Sequence, residues 1–348
     1  MSATHEHPGL SLEALEGYLH AELPDLLQGP LSAQLLAGGR SNLTYLLSDG
    51  TSRWVLRRPP LGHVLTTAHD MSREHRMLTA LSSTDVPVPR PLLLADDGVL
   101  GAPFYVMEFA DGTVLRERAD LEQFSPRAAE ALADELVRVL GRLHDVRAAE
   151  VGLADLGRPE GYLERQLTRW STQLRAAHSR DVPELDRLGA RLSNVLPQRT
   201  NVLPQRTETS LVHGDYRLDN VVVSATGQIV AVLDWEMATQ GDPLADLASA
   251  VVWWDGLRGL DSPIAAVPGD VPGFPTRDRL IAEYARTTGR DLSALTWYLG
   301  FAFYKIAAIF EGIHYRSQEG LTVGNGFELL GDMVPELVER GHAALSES

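Results

Sequence analysis

The sequence predicts an α+β fold of two lobes, in which a small antiparallel sheet precedes a larger, mainly helical part. Short apolar runs separated by glycine-rich or Asp-Gly turns fill residues 31–60 and return at 91–95 and 104–109, as in antiparallel strands. After Gly112, apolar residues recur mostly at helical spacing. Strands followed by helices favour α+β over a parallel doubly wound sheet. A chain of 348 residues also exceeds the usual size of a single core. We therefore predict one lobe over 1–110 and a second over 111–348.

The elements follow from local patterns in chain order. A lead-in helix over 11–23 precedes three consecutive strands, and a helix over 70–81 begins after Asp70, which can cap its first turn. Strands at 91–95 and 104–109 complete the first lobe. In the second lobe we predict a hairpin over 220–233 and helices over 127–144, 162–177, 183–196, 243–254, 276–288, 292–316 and 327–345.

One repeat stands apart from these elements. The heptapeptide NVLPQRT occupies residues 194–200 and again 201–207. Two copies are too few for a solenoid, and a proline in each copy prevents one continuous helix. We interpret the segment as a surface loop.

Composition excludes several classes of protein. The 31 basic residues against 47 acidic ones give a formal net charge of −16, so a nucleic-acid partner is not expected. The absence of cysteine excludes a disulfide scaffold, a cysteine nucleophile and a zinc ribbon. The start lacks the pattern of a secretory signal, and no apolar run approaches the roughly 20 residues that span a bilayer. We expect a cytoplasmic protein without a membrane partner.

The most informative stretch is residues 211–236, LVHGDYRLDNVVVSATGQIVAVLDWE. Asn220 follows Asp215 by five residues, and an Asp-Trp-Glu triplet begins 14 residues later at Asp234. This pattern resembles the H-x-D-x-x-x-x-N … D-x-G set of the protein-kinase-like superfamily. The variant with glycine after the histidine and Asp-Trp-Glu at the end resembles the aminoglycoside phosphotransferase family and its choline kinase-like relatives.

The resemblance implies an ATP- and Mg²⁺-dependent phosphotransferase acting on a hydroxyl of a small molecule. Such chemistry needs one carboxylate facing the acceptor, and a second carboxylate with an amide oxygen on Mg²⁺. By resemblance Asp215 is the base or acceptor-orienting residue, Asn220 and Asp234 are the metal ligands, and Arg217 lies near the transferred phosphate. A tight loop and a hairpin should bring the two carboxylates and the amide to one end of a small sheet. Two further residues are implied to be structural, bracing and anchoring the loop: His213 and Asp246.

The helix over 70–81 carries a carboxylate on its apolar stripe. Glu74 shares that stripe with Met71, Leu78 and Leu81. A buried carboxylate is costly unless it meets a cation, and Arg57 at the end of the third strand is the obvious one. The pair reproduces the strand cation and helix carboxylate of kinases, which serve the α- and β-phosphates, with Arg in place of Lys. The alternative is that both side chains reach solvent.

Two more segments are implied to contact the nucleotide. The turn Gly38-Gly39-Arg40-Ser41-Asn42 corresponds to the lid over the phosphates, with Gly39, Ser41 and Asn42 as candidate contacts, although a Gly-Gly hairpin is often only a turn. Strand 104–109 leads into the hinge, where the backbone would bond adenine; the alternative is a short apolar edge strand. The candidate hinge residues are Met107, Glu108 and Ala110.

The pieces GGRSNLTYLL, WVLRRPPLGHVL, HGDYRLDN and VLDWEMATQGDPLADLA look like the branch of this family that is fused ahead of acyl-CoA dehydrogenase domains. That resemblance implies an acceptor resembling a hydroxyacyl-CoA, with an aminoglycoside as the other candidate. A pseudokinase-like module that binds nucleotide or acyl ligand without transfer is the competing hypothesis. The arginine at position 57 favours it, whereas the joint presence of Asp215, Asn220 and Asp234 speaks against it.

Overall fold

The computed structural model describes residues 7–36, 42–61, 70–176, 180–197, 210–260, 262–320 and 327–347. Gly39, Ser41 and most of the repeated heptapeptide lie outside these ranges. The chain divides into two compact units, Met1–Gly112 with Val230–Glu236, and Thr113–Ile229 with Met237–Ser348. The predicted boundary at residue 110 did not anticipate that 230–236 belongs to the first unit. That segment is bound there through the backbone, since Val232 N–H donates to the carbonyl of Pro87 at 2.8 Å.

The first unit is an antiparallel sheet with two helices. Its sheet has the order β1-β2-β3-β5-β4, so β3 is the central strand. Asp70 caps α2 by accepting a hydrogen bond from Arg73 N–H, as predicted. The elements are α1 (Leu12–Glu22), β1 (Ser32–Leu35), β2 (Leu43–Ser48), β3 (Arg53–Arg58), α2 (Met71–Leu81), β4 (Pro91–Ala95) and β5 (Phe104–Glu108).

Alternation along β3 decides which face each side chain takes. Leu56 packs in a core with Leu15 and Leu19 of α1 and with Phe104 of β5. Arg57, the next residue, therefore points to the opposite face of the sheet. Because β3 is the central strand of the sheet, the side chain of Arg57 is largely buried.

The second unit is mainly helical, and the α+β expectation is confirmed. Its elements are α3 (Arg118–Leu121), α4 (Pro126–Asp145), α5 (Tyr162–Ala176), α6 (Pro183–Asn194), β6 (Ser210–Val212), β7 (Val221–Val223), β8 (Ile229–Val232, which continues into the first unit), β9 (Thr239–Gly241), α7 (Pro243–Val251), α8 (Arg277–Thr288), α9 (Leu295–Gln318) and α10 (Leu330–Ala344).

Three short features of this unit were not predicted: α3 and the antiparallel pair β6–β9. Each is three or four residues long, too short to show a periodic pattern. The helix predicted over 243–254 also ends early at Val251, and a π-helical turn, Val252–Gly256, follows it. Within the described ranges, no helix has the length and hydropathy needed to cross a bilayer.

Candidate functional site

A loop of eight residues, 213–220, joins β6 to β7 in the second unit. Its backbone is held by Asp246 of the first turn of α7, whose carboxylate accepts from the N–H groups of His213 at 2.5 Å and Gly214 at 2.8 Å. His213 is fully buried, and its Nδ1 accepts from Asp215 N–H at 3.2 Å. The two residues implied to be structural thus contact the loop backbone.

Asp246 has a further partner that sequence reasoning missed. His144, the last apolar-stripe residue of the predicted helix 127–144, lies 3.5 Å from Asp246 Oδ2 through Nε2 and 2.7 Å from Tyr284 Oη through Nδ1. Burial lowers the pKa of His144, and the contact with Asp246 opposes that effect. Burial alone would raise the pKa of Asp246, but hydrogen bonds from His144 and Gly214 outweigh it and lower the pKa. The anchor is therefore an ionised carboxylate.

Gly214 adopts a backbone conformation that favours glycine. Its φ is 85°, and a Cβ at this position would lie 2.7 Å from the carbonyl oxygen of Met237. This close approach explains why glycine precedes Asp215.

Asp215 is oriented by the side chains of its own loop. Its Oδ2 accepts from Arg217 Nε at 3.2 Å and from Asn220 Nδ2 at 3.1 Å, and the same Nδ2 donates to the Asp215 carbonyl at 2.9 Å. Burial alone would raise the pKa of Asp215; Arg217, Lys305 and His213, with the hydrogen bond from Asn220, outweigh it and lower the pKa. The carboxylate is thus charged and fixed, as a group that orients an acceptor hydroxyl must be.

Arg217 is more constrained than the sequence indicated. Besides Asp215, it pairs with Asp219 at 3.2 Å, and its guanidinium lies 4.5 Å from the ring centroid of Trp253. Trp253 belongs to the π-helical turn after α7, a feature without a periodic signature in the sequence. The expectation that Arg217 lies near the transferred phosphate remains a prediction, and the structure shows its guanidinium bound to the loop.

The first unit contains the predicted ion pair. Arg57 Nε lies 3.3 Å from Glu74 Oε2, and the Glu74 side chain is 2% exposed. Two neutral groups also donate hydrogen bonds to the Glu74 carboxylate, Tyr105 Oη at 2.8 Å and Asn42 Nδ2 at 3.2 Å. Burial raises the pKa of Glu74, and Arg57 opposes that rise. The alternative in which both side chains reach solvent is wrong.

Asp234 lies beside this pair in the same unit. Its φ of 66° is the one positive value at a non-glycine among the described residues. Its Oδ1 is 3.5 Å from Arg57 Nη2 and, although buried, accepts no hydrogen bond from any residue that the structure describes. Carboxylate oxygens of Glu74, Asp234 and Glu236 lie within 4.8 Å of one another. Hard oxygen donors with an unsatisfied buried atom fit a divalent cation.

The remaining predicted residues have different outcomes. Asn42 is buried, and its amide bonds Glu74; a contact with phosphate stays a prediction. Met107 is buried in β5, and Glu108 uses its N–H for the carbonyl of Arg90 at 2.9 Å, which leaves that N–H unavailable to adenine. Ala110 is half-buried just after β5. The convergence of Asp234 with Asp215 and Asn220 also stays a prediction.

The second unit has a cavity of about 380 Å³ among α5, α6 and α9. Its lining mixes apolar, hydroxyl and charged side chains, including Leu167, Ser171, Arg175, Asp186 and Tyr304. A cavity of this size is within the range of small-molecule sites.

Comparison with known proteins shows which family and which fold this chain shares. Residues 32–296 match the phosphotransferase enzyme family. The chain is 35% identical over 339 residues to acyl-CoA dehydrogenase family member 11 of Gallus gallus, covering 94% of this chain and 42% of that protein. It thus spans about two fifths of the length of that relative. A crystal structure from Ralstonia eutropha, provisionally described as an aminoglycoside phosphotransferase, has 32% identity and a TM-score of 0.81, with 97% of this chain and 98% of that chain covered. An amicoumacin kinase solved with AMP-PNP and Ca²⁺ has 15% identity and a TM-score of 0.60, covering 97% and 94%, and shares the fold.

Proposed function

Because this chain belongs to the phosphotransferase enzyme family, we propose that it transfers the γ-phosphate of Mg²⁺-ATP to a hydroxyl group of a small molecule. The observation that carries the proposal is the loop 213–220. There a charged Asp215 is aimed by Arg217 and Asn220 on a backbone that Asp246 fixes. A chance cluster of polar loop residues would not have His213 and Asn220 both hydrogen-bonded to Asp215.

In this proposal, each side chain supplies position or charge. Asp215 accepts a hydrogen bond from the acceptor hydroxyl and takes its proton as the oxygen attacks phosphorus. Arg57, held by Glu74, faces the α- and β-phosphates. Asn220 and Asp234 would hold Mg²⁺, which neutralises charge on the phosphate oxygens when bound. The amide nitrogen of Asn220 is committed to Asp215, so its oxygen is the atom presented to a cation.

Adenine recognition is assigned to the strand β5 and the residues after it, Met107, Glu108 and Ala110. With the Glu108 N–H bound to Arg90, the carbonyl of Glu108 and the N–H of Ala110 are the groups we propose for the base. Gly39, Ser41 and Asn42 are proposed for the phosphates on the sequence pattern alone.

For the acceptor, we propose the cavity among α5, α6 and α9. Two candidates stand, a hydroxyacyl-CoA-like alcohol and an aminoglycoside. The relation to proteins fused with acyl-CoA dehydrogenase domains supports the first, and the description of the Ralstonia protein supports the second. Two acids, Glu164 and Asp186, and one base, Arg175, line the cavity, so its lining carries charges of both signs. A polycation would find a weaker electrostatic match there than in an acidic cleft.

The deciding assay measures ATP depletion with a library of aminoglycosides, hydroxyacyl-CoA thioesters and amino alcohols as acceptors. We expect acceptor-dependent turnover with at least one class. Measurable Mg²⁺-ATP binding without turnover by any acceptor would favour the pseudokinase-like alternative.

The variant Asp215→Asn tests whether the turnover depends on the loop 213–220. The amide keeps the size of the side chain and one acceptor oxygen, but it carries no charge and cannot take the proton. We expect turnover to fall by about 100-fold or more, with ATP affinity within about threefold of wild type. Asp97→Asn, at an exposed position after β4, is the control and should leave turnover unchanged. Equal turnover in Asp215→Asn and wild type would contradict the role of Asp215.

A further inference from the structure

Lys305 is the only lysine of the chain, the other 30 of its 31 basic residues being arginines. It lies in the middle of α9, where the neighbouring residues Tyr304 and Ile306 are almost completely buried. The residue is itself 8% exposed. Lysines are almost never buried to this degree unless paired, because an ammonium loses its hydration there. A single lysine at a position where its ammonium is desolvated needs a specific partner.

The partner is the loop that carries Asp215. Lys305 Nζ donates to the carbonyl oxygen of Gly214, and the ammonium lies 5.7 Å from the ring centroid of Trp170 of α5. Burial lowers the pKa of Lys305, and the charges of Asp215 and Asp246 oppose that effect. Two cations also face it, Arg169 of α5 and Arg217 of the loop, and they lower its pKa further.

The contact completes the bonding of one peptide group, the one that joins Gly214 to Asp215. Its N–H donates to His213 Nδ1, and its carbonyl accepts from Lys305. Gly214 is at φ 85°, where the absence of a Cβ lets a peptide plane rotate easily. The plane of this peptide sets the direction in which the Asp215 side chain leaves the backbone.

We propose that Lys305 is a positioning residue, which fixes the peptide between Gly214 and Asp215 and thereby aims the Asp215 carboxylate at the acceptor. This inference rests on the proposed phosphotransferase function for its catalytic consequence, but the peptide contact can be tested without any substrate. Without Lys305 this partly buried carbonyl would lose its donor, and rotation of the peptide would relieve that loss.

The first test replaces the ammonium by an apolar side chain of similar length, Lys305→Met. The matched control is Arg316→Met. It removes an exposed cation of the same helix α9, without a contact to the loop among the described residues. Amide exchange of Asp215, whose N–H belongs to the held peptide, should become about 10- to 100-fold faster in Lys305→Met. Arg316→Met should leave it unchanged.

The kinetic readout separates positioning from stability. With an acceptor found in the assay above, or with Mg²⁺-ATP hydrolysis alone, we expect Lys305→Met to lower kcat by about 10- to 100-fold. The KM for ATP should stay within about threefold. Unchanged exchange of Asp215 together with unchanged kcat would overturn the proposal. A wild-type protein without turnover would overturn the proposed function instead, while the exchange measurement would still decide on Lys305.

A chemical rescue covers the case in which Lys305→Met does not fold. Because the chain has no cysteine, Lys305→Cys can be alkylated at one site in the unfolded state and then refolded. Aminoethylation restores an ammonium at nearly the length of lysine, whereas carbamidomethylation adds a neutral group. We expect the aminoethylated protein to recover kcat and slow Asp215 exchange to within about fivefold of wild type treated in the same way. Equal recovery by the neutral group would refute a role for the ammonium.

Discussion

The buried pair of Arg57 and Glu74 gives the sharpest prediction about the first unit. Glu74→Gln keeps the volume of the side chain but removes the charge that faces a nearly buried guanidinium. Breaking one side of a buried pair costs about 3–5 kcal/mol. Asp234 stays 3.5 Å from Arg57 and partly compensates its charge. We therefore expect the free energy of unfolding to fall by the lower limit of this range, about 3 kcal/mol. For a cooperative unit of this size, the midpoint of thermal unfolding should fall by about 10 °C.

The matched control is Asp111→Asn, which breaks the ion pair of Arg53 and Asp111 in the same unit. The Asp111 side chain is 81% exposed, so this pair should contribute less than about 1 kcal/mol. Thermal unfolding followed by circular dichroism compares the two variants, and calorimetric titration measures their affinity for Mg²⁺-ATP. We expect only Glu74→Gln to weaken nucleotide binding, because Arg57 loses the partner that orients it.

A double variant distinguishes stability from function. Arg57→Met with Glu74→Gln removes both charges and keeps a side-chain oxygen that can accept a hydrogen bond from Tyr105 or Asn42, so part of the lost stability should return. Nucleotide affinity should not return, since the cation is gone. If Glu74→Gln shifts the unfolding midpoint no more than Asp111→Asn does, the assignment of a strong buried pair is refuted.

Three further predictions concern the remaining site residues. Gly214→Ala should destabilise the protein more than Gly227→Ala. Both glycines have positive φ, but only at Gly214 would the added Cβ meet a backbone atom, at 2.7 Å. Chemical denaturation measures the free energy of unfolding of both variants, and equal losses of that free energy would contradict the close approach. Labelling with ¹³C-lysine gives a single side-chain signal, that of Lys305. Its titration midpoint should lie lower in the folded protein than in denaturant, because burial disfavours the charged form. Between the two pKa values the unfolded chain binds more protons than the folded chain, so the stability contributed by this group increases as the pH rises through that range. Asp234→Asn should raise the Mg²⁺ concentration for half-maximal turnover by about tenfold or more, and an unchanged requirement would exclude Asp234 as a ligand.

Local sequence patterns predicted a large part of this architecture. The helix stripe with Glu74 on it, and the cost of burying a carboxylate without a cation, were enough to predict the ion pair with Arg57. The spacing of Asp215 and Asn220 in the loop was enough to predict their neighbourhood, because five residues of chain cannot separate them far. These are short-range consequences of helix and strand periodicity and of a tight loop.

Contacts between distant parts of the chain were decided only by the tertiary structure. Lys305 lies within the helix predicted over 292–316, whose apolar spacing gives no partner for it, and only the packing of α9 placed it against Gly214. His144 similarly fitted an apolar stripe, and its bond to Asp246 depends on how α4 and α7 pack. Periodicity along a chain states which face of an element is buried. It does not state which element covers that face, because the covering residues are about 90 to 100 positions away, and their identity is set by the packing of the whole unit.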